Sequence, residues 1–391
     1  MKNHRTFAIS VFLLVVLLFS GCLQGTPEPT QEPTQPPTEA PTQAPTRAPV
    51  TPVSREIFDF SRTGFGFFPT PPEPTASSSV ENIKRMSDHA DVLLFQEQIP
   101  WLDFQEGVDS ESPRITVVGD LVDYVEFYGM RTIMVVDPLN GLNRREFQGV
   151  PDEWGEVNFS TPEIRTAYQS FAVRLARDFQ PAYLGLGSEI NTYLDAFPED
   201  AEHFISLYKE TYAAVKEVSP DTKVFVTFQW DDLNHLDGDG TAYDIKWEQI
   251  EAFEPELDIW AVSSYPYFLF DTPADIPGDY YSPLLARTDK PLAIAESGWT
   301  SRDLSEITGS PEEQVEFLRK VDAQIGDRLA FWINLLYADL NWEDYRIVFA
   351  EQGTVKDMTT LSNFIHLGLT TADGEPKPAL TVWDEIRTDG E

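Results

Sequence analysis

The amino-acid sequence predicts an α/β fold, a (β/α)8 TIM barrel, on three observations. From about Arg55 onward, eight short apolar runs alternate with segments whose apolar residues recur every three to four positions, which is the pattern of a parallel sheet with crossover helices. The segments before the runs are short and those after them are long, as in a barrel whose active face lies at the C-terminal ends of its strands. Residues 55–391 accommodate one such domain with loop insertions.

The eight runs are four to seven residues long and several are bounded by Pro or Gly, which favours buried parallel strands. The predicted strands are Thr63–Phe68, Ala90–Gln96, Arg131–Val136, Tyr183–Ser188, Lys223–Phe228, Asp258–Ser263, Leu292–Ala295 and Leu329–Asn334. The predicted helices between and after them include Ile164–Phe179, Ala201–Val218, Pro311–Ile325 and Pro378–Ile386.

The N-terminal residues 1–21 predict a signal peptide. They combine a basic start, Lys2 and Arg5, with the apolar run Phe7–Phe19, which is shorter than a membrane-spanning helix. The end of this segment, Leu18-Phe-Ser-Gly-Cys22, resembles the lipobox of prokaryotic lipoproteins, in which cleavage leaves the cysteine first and lipidated. The resemblance implies a lipid on Cys22 that anchors the protein to the membrane at the cell surface. The alternative is an uncleaved N-terminal anchor.

Residues 22–54 are predicted to form a disordered linker. They repeat Pro, Thr, Glu and Gln between Thr26 and Pro52 without any apolar period, so they cannot pack into a core. Proline at this density favours extended polyproline II, which would lift a domain away from the membrane. Cys22 is the only cysteine, and this excludes an internal disulfide framework.

The strong acidity of the chain limits its partners. A net charge of −37 argues against nucleic acid, because binding phosphates requires clustered Lys and Arg. The five histidines are scattered and no Cys/His cluster exists, so we predict neither a metal site nor a cofactor.

Two predicted strands end in a glutamate, Glu189 after the fourth and Glu296 after the seventh. A charge at the mouth of a buried strand costs free energy unless it is paired or used. The strands of a barrel end at one face, and two carboxyls flanking a glycosidic bond are what glycoside hydrolysis requires. We therefore predict that the two glutamates form a catalytic pair. For each glutamate alone, a structural ion pair or a helix cap is the alternative.

Three short motifs resemble known glycosidases. Ala295-Glu-Ser-Gly-Trp299 resembles the nucleophile motif of glycoside hydrolase family 17, the endo-β-1,3-glucanases, as does Tyr265-Pro-Tyr-Phe268. Gly187-Ser-Glu-Ile-Asn191 resembles a segment of the family 53 endo-β-1,4-galactanases. Together with the strand positions, these motifs resemble clan A, the retaining (β/α)8-barrel glycosidases. The resemblance implies that Glu189 is the acid/base and Glu296 the nucleophile.

The same resemblance implies supporting roles for three further residues. Tyr265 would donate a hydrogen bond to Glu296, and Trp332 would form the floor under the sugar. Ser188 stands where the clan usually has Asn, whose amide reaches the sugar 2-hydroxyl. Other polar and aromatic residues near strand ends are candidates for sugar binding, with loop-core packing as the alternative for each Trp. They are Asp137, Gln229, Trp230 and Trp299, with Gln96, Glu97, Trp101, Trp154 and Trp342 in the same class.

We therefore expect a monomeric, surface-tethered glycosidase that cuts a β-linked poly- or oligosaccharide, by internal cleavage if its cleft is open at both ends. A non-catalytic carbohydrate-binding lipoprotein on the same barrel is the alternative. The geometry of Glu189 and Glu296 distinguishes an active pair from two separate structural carboxylates.

Overall fold

The computed structural model describes residues 57–234, 244–304, 307–351 and 358–389. The predicted signal peptide, Cys22 and the linker lie outside these residues. None of the helices within them is both long and apolar enough to cross a membrane.

A closed parallel barrel forms the centre of the molecule and confirms the predicted fold class. The strands, with a short hairpin (β4 and β5) between the third and fourth barrel strands, are β1 Gly64–Phe67, β2 Val92–Gln98, β3 Arg131–Asp137, β4 Leu139–Asn140, β5 Asn143–Phe147, β6 Tyr183–Gly185, β7 Lys223–Phe225, β8 Thr227–Gln229, β9 Trp260–Ser264, β10 Leu292–Ser297 and β11 Leu329–Asn334.

The order of strands in the sheet is β7-β6-β3-β2-β1-β11-β10-β9-β8. The segments β7 and β8 are the two halves of the predicted fifth strand, interrupted at Val226. Because β6 pairs with the first half and β9 pairs with the second, the barrel closes through this strand. All these pairings are parallel, and each of the eight predicted strands corresponds to one position in the barrel.

Helices connect the strands on the outside of the barrel. They are α1 Ala76–Met86, α2 Trp101–Phe104, α3 Pro113–Phe127, α4 Pro162–Phe179, α5 Ile190–Ala196, α6 Ala201–Val218, α7 Trp230–Leu233, α8 Trp247–Glu251, α9 Ser282–Arg287, α10 Pro311–Ile325, α11 Trp342–Glu351, α12 Met358–Leu361 and α13 Pro378–Thr388. The predictions for α6 and α10 match these bounds. Those for α4 and α13 differ from them by two residues at one end.

The alternation of side chains along each strand determines which residues enter the barrel. Phe331 packs against Tyr183 and Phe225 from the opposite side of the barrel, with ring centroids 5.1 and 5.9 Å away, so it points inward. Its neighbour Trp332 therefore points outward. There its ring lies 5.5 Å from that of Trp383 in α13.

The β4–β5 hairpin was not predicted, and it reaches over the barrel mouth directly after β3. Its turn is held by Asn140, whose side-chain oxygen accepts the backbone N–H of Leu142 at 2.8 Å. At its far end, Phe147 packs against Phe159 and Tyr193, with centroids 4.8 and 6.1 Å away. The hairpin is thereby fixed against the loop after β5 and against α5.

Two glycines give opposite predictions for stability. A Cβ atom at Gly66 in β1 would lie 2.0 Å from the carbonyl oxygen of Val92, so Gly66→Ala should lower the free energy of unfolding by about 1–3 kcal/mol or more. In α3, a Cβ at Gly119 would meet Phe179 at 3.5 Å, an ordinary contact, so Gly119→Ala should be neutral or stabilise by up to about 1 kcal/mol. Urea unfolding of both variants checks this, and equal changes in the two would contradict the tight β1–β2 packing.

Candidate active site

The two predicted glutamates meet at the mouth of the barrel. Glu189 follows β6 and Glu296 lies in β10, with 0% and 1% of their surfaces exposed. The hydroxyl of Ser188 donates to Oε1 of Glu296 at 3.1 Å. Arg144 donates through Nη2 to Ser188 Oγ at 3.0 Å and through Nε to Oε2 of Glu189 at 3.2 Å. Ser188 and Arg144 thus connect the two carboxyls, which we call the carboxylate pair.

The backbone around Glu189 is held in an uncommon conformation. Gly187 has φ 139° and Glu189 has φ 48°, where a residue with a side chain costs of order 1–3 kcal/mol. The turn is fixed to the neighbouring strand, because the N–H of Glu189 donates to Thr227 Oγ1 at 2.8 Å. Asn191 adds two hydrogen bonds to the backbone of Gln229. These contacts position Glu189 between the end of β6 and the start of α5.

Each carboxylate accepts hydrogen bonds at both of its oxygens. Ser263 donates to Oε1 of Glu189 at 2.6 Å, while Arg144 occupies Oε2. Tyr265 donates through its hydroxyl to Oε2 of Glu296 at 3.0 Å, while Ser188 occupies Oε1. The predicted contact between Tyr265 and Glu296 is therefore present in the structure.

Burial and mutual repulsion set the charge of the pair. Burial raises the pKa of Glu189, and the Arg144 guanidinium opposes this rise. Burial also raises the pKa of Glu296, and the charge on Glu189 raises it further, against the effects of Arg144, Tyr265 and Ser188. Because each ionised carboxylate disfavours the other, the pair favours binding one proton more strongly than two isolated carboxyls would.

Arg144 is the principal residue of the site that sequence reasoning missed. It is completely buried and pairs with Asp137 at the end of β3 as well as with Glu189. Asp137 in turn accepts the side-chain amide of Gln96 at 2.6 Å. An arginine in a loop carries no periodic signal, and the hairpin that delivers it has strands too short to predict. The one signal in the sequence that could have indicated Arg144 is that several predicted strands end at an acidic residue, because buried carboxylates require a cation nearby.

Several predicted sugar-binding residues lie elsewhere or are already engaged. Trp332 faces outward, and its indole N–H donates to Ser297 Oγ at 2.9 Å, so the structure does not bring it to the carboxylate pair. Gln229 uses its amide N–H on Asp231 at 2.9 Å. Glu97, at the end of β2, forms an ion pair with Arg114 at 2.6 Å.

The tryptophans in the loops after the strands contribute mainly to local cores. Trp230 packs against Trp247 and Trp299 packs against Phe317, with centroids 6.2 and 5.8 Å apart, and both tryptophans are at most 1% exposed. Trp101 is 2% exposed. The two that keep more exposure are Trp154 and Trp342, which are half-buried.

No group of three or more His, Cys, Asp or Glu side chains within the described ranges is arranged to hold a metal ion. The acidic residues of the mouth are instead paired with Arg144 or accept hydroxyl and amide donors.

The chain is similar to known proteins in its fold and not in its sequence. The sequence matches no protein-family model and no curated protein. The structure is similar to that of a GH5_18 protein from Bifidobacterium longum subsp. infantis, with a TM-score of 0.60 and 18% identity over 84% of this chain and 80% of that one.

Two further structures share the fold. The exo-β-1,4-mannosidase Op5Man5 from Opitutaceae bacterium strain TAV5 has a TM-score of 0.61 and 14% identity, and the match covers 84% of this chain but 60% of the mannosidase. A GH5_18 protein from Streptomyces cattleya, solved with Manβ1-4GlcNAc, has a TM-score of 0.57 and 17% identity over 83% of this chain and 80% of that one. Identities this low show a common (β/α)8 fold.

The raised pKa of Glu296 predicts how its replacement affects stability. A carboxyl whose folded-state pKa lies above its ordinary value of 4.5 favours folding at low pH, and that contribution is lost as pH rises through the folded-state pKa. Glu296→Gln removes the buried charge, so it should raise the melting temperature more at pH 8 than at pH 5. Calorimetry at both pH values checks this, with Glu153→Gln at an exposed position as the control. An equal effect at the two pH values would contradict a buried, proton-binding Glu296.

Proposed function

We propose that the protein is a glycosidase that cleaves β-linked poly- or oligosaccharides, with Glu189 as acid/base and Glu296 as nucleophile. The observation that carries the proposal is the meeting of these two carboxyls at the ends of the fourth and seventh barrel strands, with the Tyr265 hydroxyl on Glu296. The fold shared with GH5_18 proteins and with an exo-β-1,4-mannosidase supports the same reaction class.

The contacts of the pair fit a two-step retaining reaction. Ionised Glu296, oriented by Tyr265 and Ser188, attacks the anomeric carbon while Glu189 gives its proton to the leaving oxygen. The covalent glycosyl-enzyme then breaks when water attacks the same carbon and Glu189 takes the water's proton. Burial raises the pKa of both glutamates, so the pair binds a proton near neutral pH, and the reaction requires that this proton lies on Glu189 while Glu296 is ionised.

The closed state of the site limits what can reach it. Both carboxyls are at most 1% exposed, so a sugar can contact them only after the groups above them move. The β4–β5 hairpin is one of these groups, because its Arg144 lies directly on Glu189. Internal cleavage of a polymer needs a cleft open at both ends, whereas terminal cleavage needs a pocket, and the two differ in the length of their first products.

A second candidate function is carbohydrate binding without turnover. Two observations favour it. Ser188 stands where clan A glycosidases usually have Asn, and the Arg144 ion pair favours the ionised form of Glu189, which cannot donate a proton. Binding without hydrolysis would then be the remaining activity of the barrel.

Hydrolysis of a panel of β-glucans, β-galactans and β-mannans, with sizing of the products, tests both candidates. Glu189→Gln should lower the rate about 10²–10⁴-fold, because general acid–base catalysis contributes that much, and Glu296→Ala should abolish turnover. Glu153→Gln is the control, since Glu153 is exposed and lies away from the carboxylate pair. Binding of a polysaccharide with no hydrolysis would support the second candidate, and neither binding nor hydrolysis across the panel would overturn both.

We also propose that the protein is tethered to the outer cell surface through a lipid on Cys22. The support is the lipobox-like Leu18-Phe-Ser-Gly-Cys22 and the Pro- and Thr-rich sequence that follows it. Expressed in a bacterium, the wild-type chain should fractionate with membranes and incorporate labelled palmitate. Cys22→Ala should lose the label. Retention of the label by that variant would contradict lipidation at this cysteine.

A further inference from the structure

Arg144 contacts the carboxylate pair from the β4–β5 hairpin. It is completely buried at the barrel mouth and donates to Asp137, Ser188 and Glu189. A guanidinium stays protonated under all ordinary conditions, so this cation is permanent. Its charge acts on Glu296 as well as on Glu189.

The contacts of Glu189 in this state suit a carboxylate and not a carboxylic acid. Oε1 accepts the Ser263 hydroxyl and Oε2 accepts the N–H of Arg144. A proton on Oε2 would weaken the hydrogen bond from Arg144, since an ionised oxygen accepts from a cationic N–H more strongly than a protonated one. Arg144 in this position therefore opposes protonation of Glu189 at Oε2.

Arg144 has a second acidic partner, which lets it release Glu189 without losing its ion pair. Nη1 donates to Asp137, and Gln96 holds Asp137 in place from β2. Leaving a buried charge unpaired is costly, so a guanidinium with one anion to keep can move away from another far more readily than one without.

Arg144 also orients the donor to the nucleophile. Because Nη2 donates to the oxygen of Ser188, the hydroxyl hydrogen of Ser188 is directed to Glu296. One cation on one hairpin thus contacts the acid/base directly and reaches the nucleophile through a single hydroxyl.

We propose that Arg144 is a positioning residue that keeps Glu189 ionised in the closed site. When Glu189 binds the proton that it needs as an acid, Arg144 loses its contact with Glu189 and keeps its ion pair with Asp137. This proposal rests on the proposed glycosidase function for its catalytic meaning. The charged groups that act on Glu189 are Arg144 from the hairpin, Asp137 from β3 and, through mutual repulsion, Glu296 from β10, while the Tyr265 phenol after β9 stays neutral. Proton uptake is thereby coupled to the release of Glu189 by Arg144.

The test is a titration of Glu189 in the full chain by carbon NMR, with glutamate labelled at the side-chain carboxyl and the signal assigned by its loss in Glu189→Gln. In Arg144→Gln the pKa of Glu189 should rise by about 1–3 pH units, the effect of an opposite charge at this range. Arg144→Lys keeps the cation and should restore most of the wild-type value. Arg145→Gln, the exposed neighbour on the same hairpin, should leave the titration unchanged.

Asp137→Asn gives a second measurement with the opposite sign and does not depend on Arg144→Gln folding. The substitution removes the Asp137 charge, which raises the pKa of Glu189, and it leaves Glu189 as the remaining acidic partner of the Arg144 ion pairs described above. The pKa of Glu189 should therefore fall. A role confined to packing would lower the melting temperature of both variants without these opposite shifts. Unchanged titrations, or shifts of the same sign in both, would overturn the proposal.

The alkaline limb of the pH profile of kcat/KM separates this proposal from the proposed function. Where the wild type hydrolyses a substrate, the limb should move with the Glu189 titration in both variants, since it reports the acid of the free enzyme. Opposite shifts in NMR from a chain without hydrolysis would retain the influence of Arg144 on Glu189 but refute the glycosidase. Hydrolysis whose alkaline limb is the same in the wild type and both variants would support the glycosidase function and refute the proposed role of Arg144.

Discussion

A single buried guanidinium lies among three carboxyl groups at the mouth of the barrel, pairs with two of them and acts through its charge on the third, and the rest of the site depends on these interactions. Asp137, Glu189 and Glu296 end three different strands and cannot all be buried without a cation and hydrogen-bond donors. Arg144 supplies the cation from the β4–β5 hairpin. Removing one partner of such a buried pair typically costs about 3–5 kcal/mol, so hairpin, strand ends and carboxylates are stabilised together.

The same contacts that stabilise the closed site oppose the reaction proposed for it. A general acid must hold a proton and face its substrate, whereas Glu189 is covered and has both oxygens occupied by donors. Active sites commonly retain such local conflicts because catalysis needs groups that are not at their most stable. The barrel fold is compatible with many chemistries, so the carboxylate pair and its donors, and not the fold, are the basis of the functional argument.

The sequence predicted the barrel and its two glutamates because both depend on strong local patterns. Apolar runs with short segments before them and long ones after them specify strands and their active end, and a charge at the end of such a run is conspicuous. The orientation of Trp332 was harder to predict, because a shift of one residue along a strand turns a side chain from the mouth to the outer layer. Arg144 was missed because its hairpin consists of two- and five-residue strands without periodicity, and its role appears only when β3, β6 and β10 converge in space.

The proposed glycosidase function depends most directly on Glu296 being the nucleophile. Activated 2-deoxy-2-fluoro β-glycosides trap the glycosyl-enzyme. The fluorine destabilises the oxocarbenium-like transition states of both steps, and the activated leaving group lets the first step proceed while hydrolysis of the intermediate stays slow. Intact-mass and peptide mass spectrometry after incubation with a panel of such glycosides should show the addition of one glycosyl group on the peptide containing Glu296. Hydrolysis of the matching unsubstituted glycoside with an adduct on another residue, or with no adduct at all, would contradict Glu296 as the nucleophile.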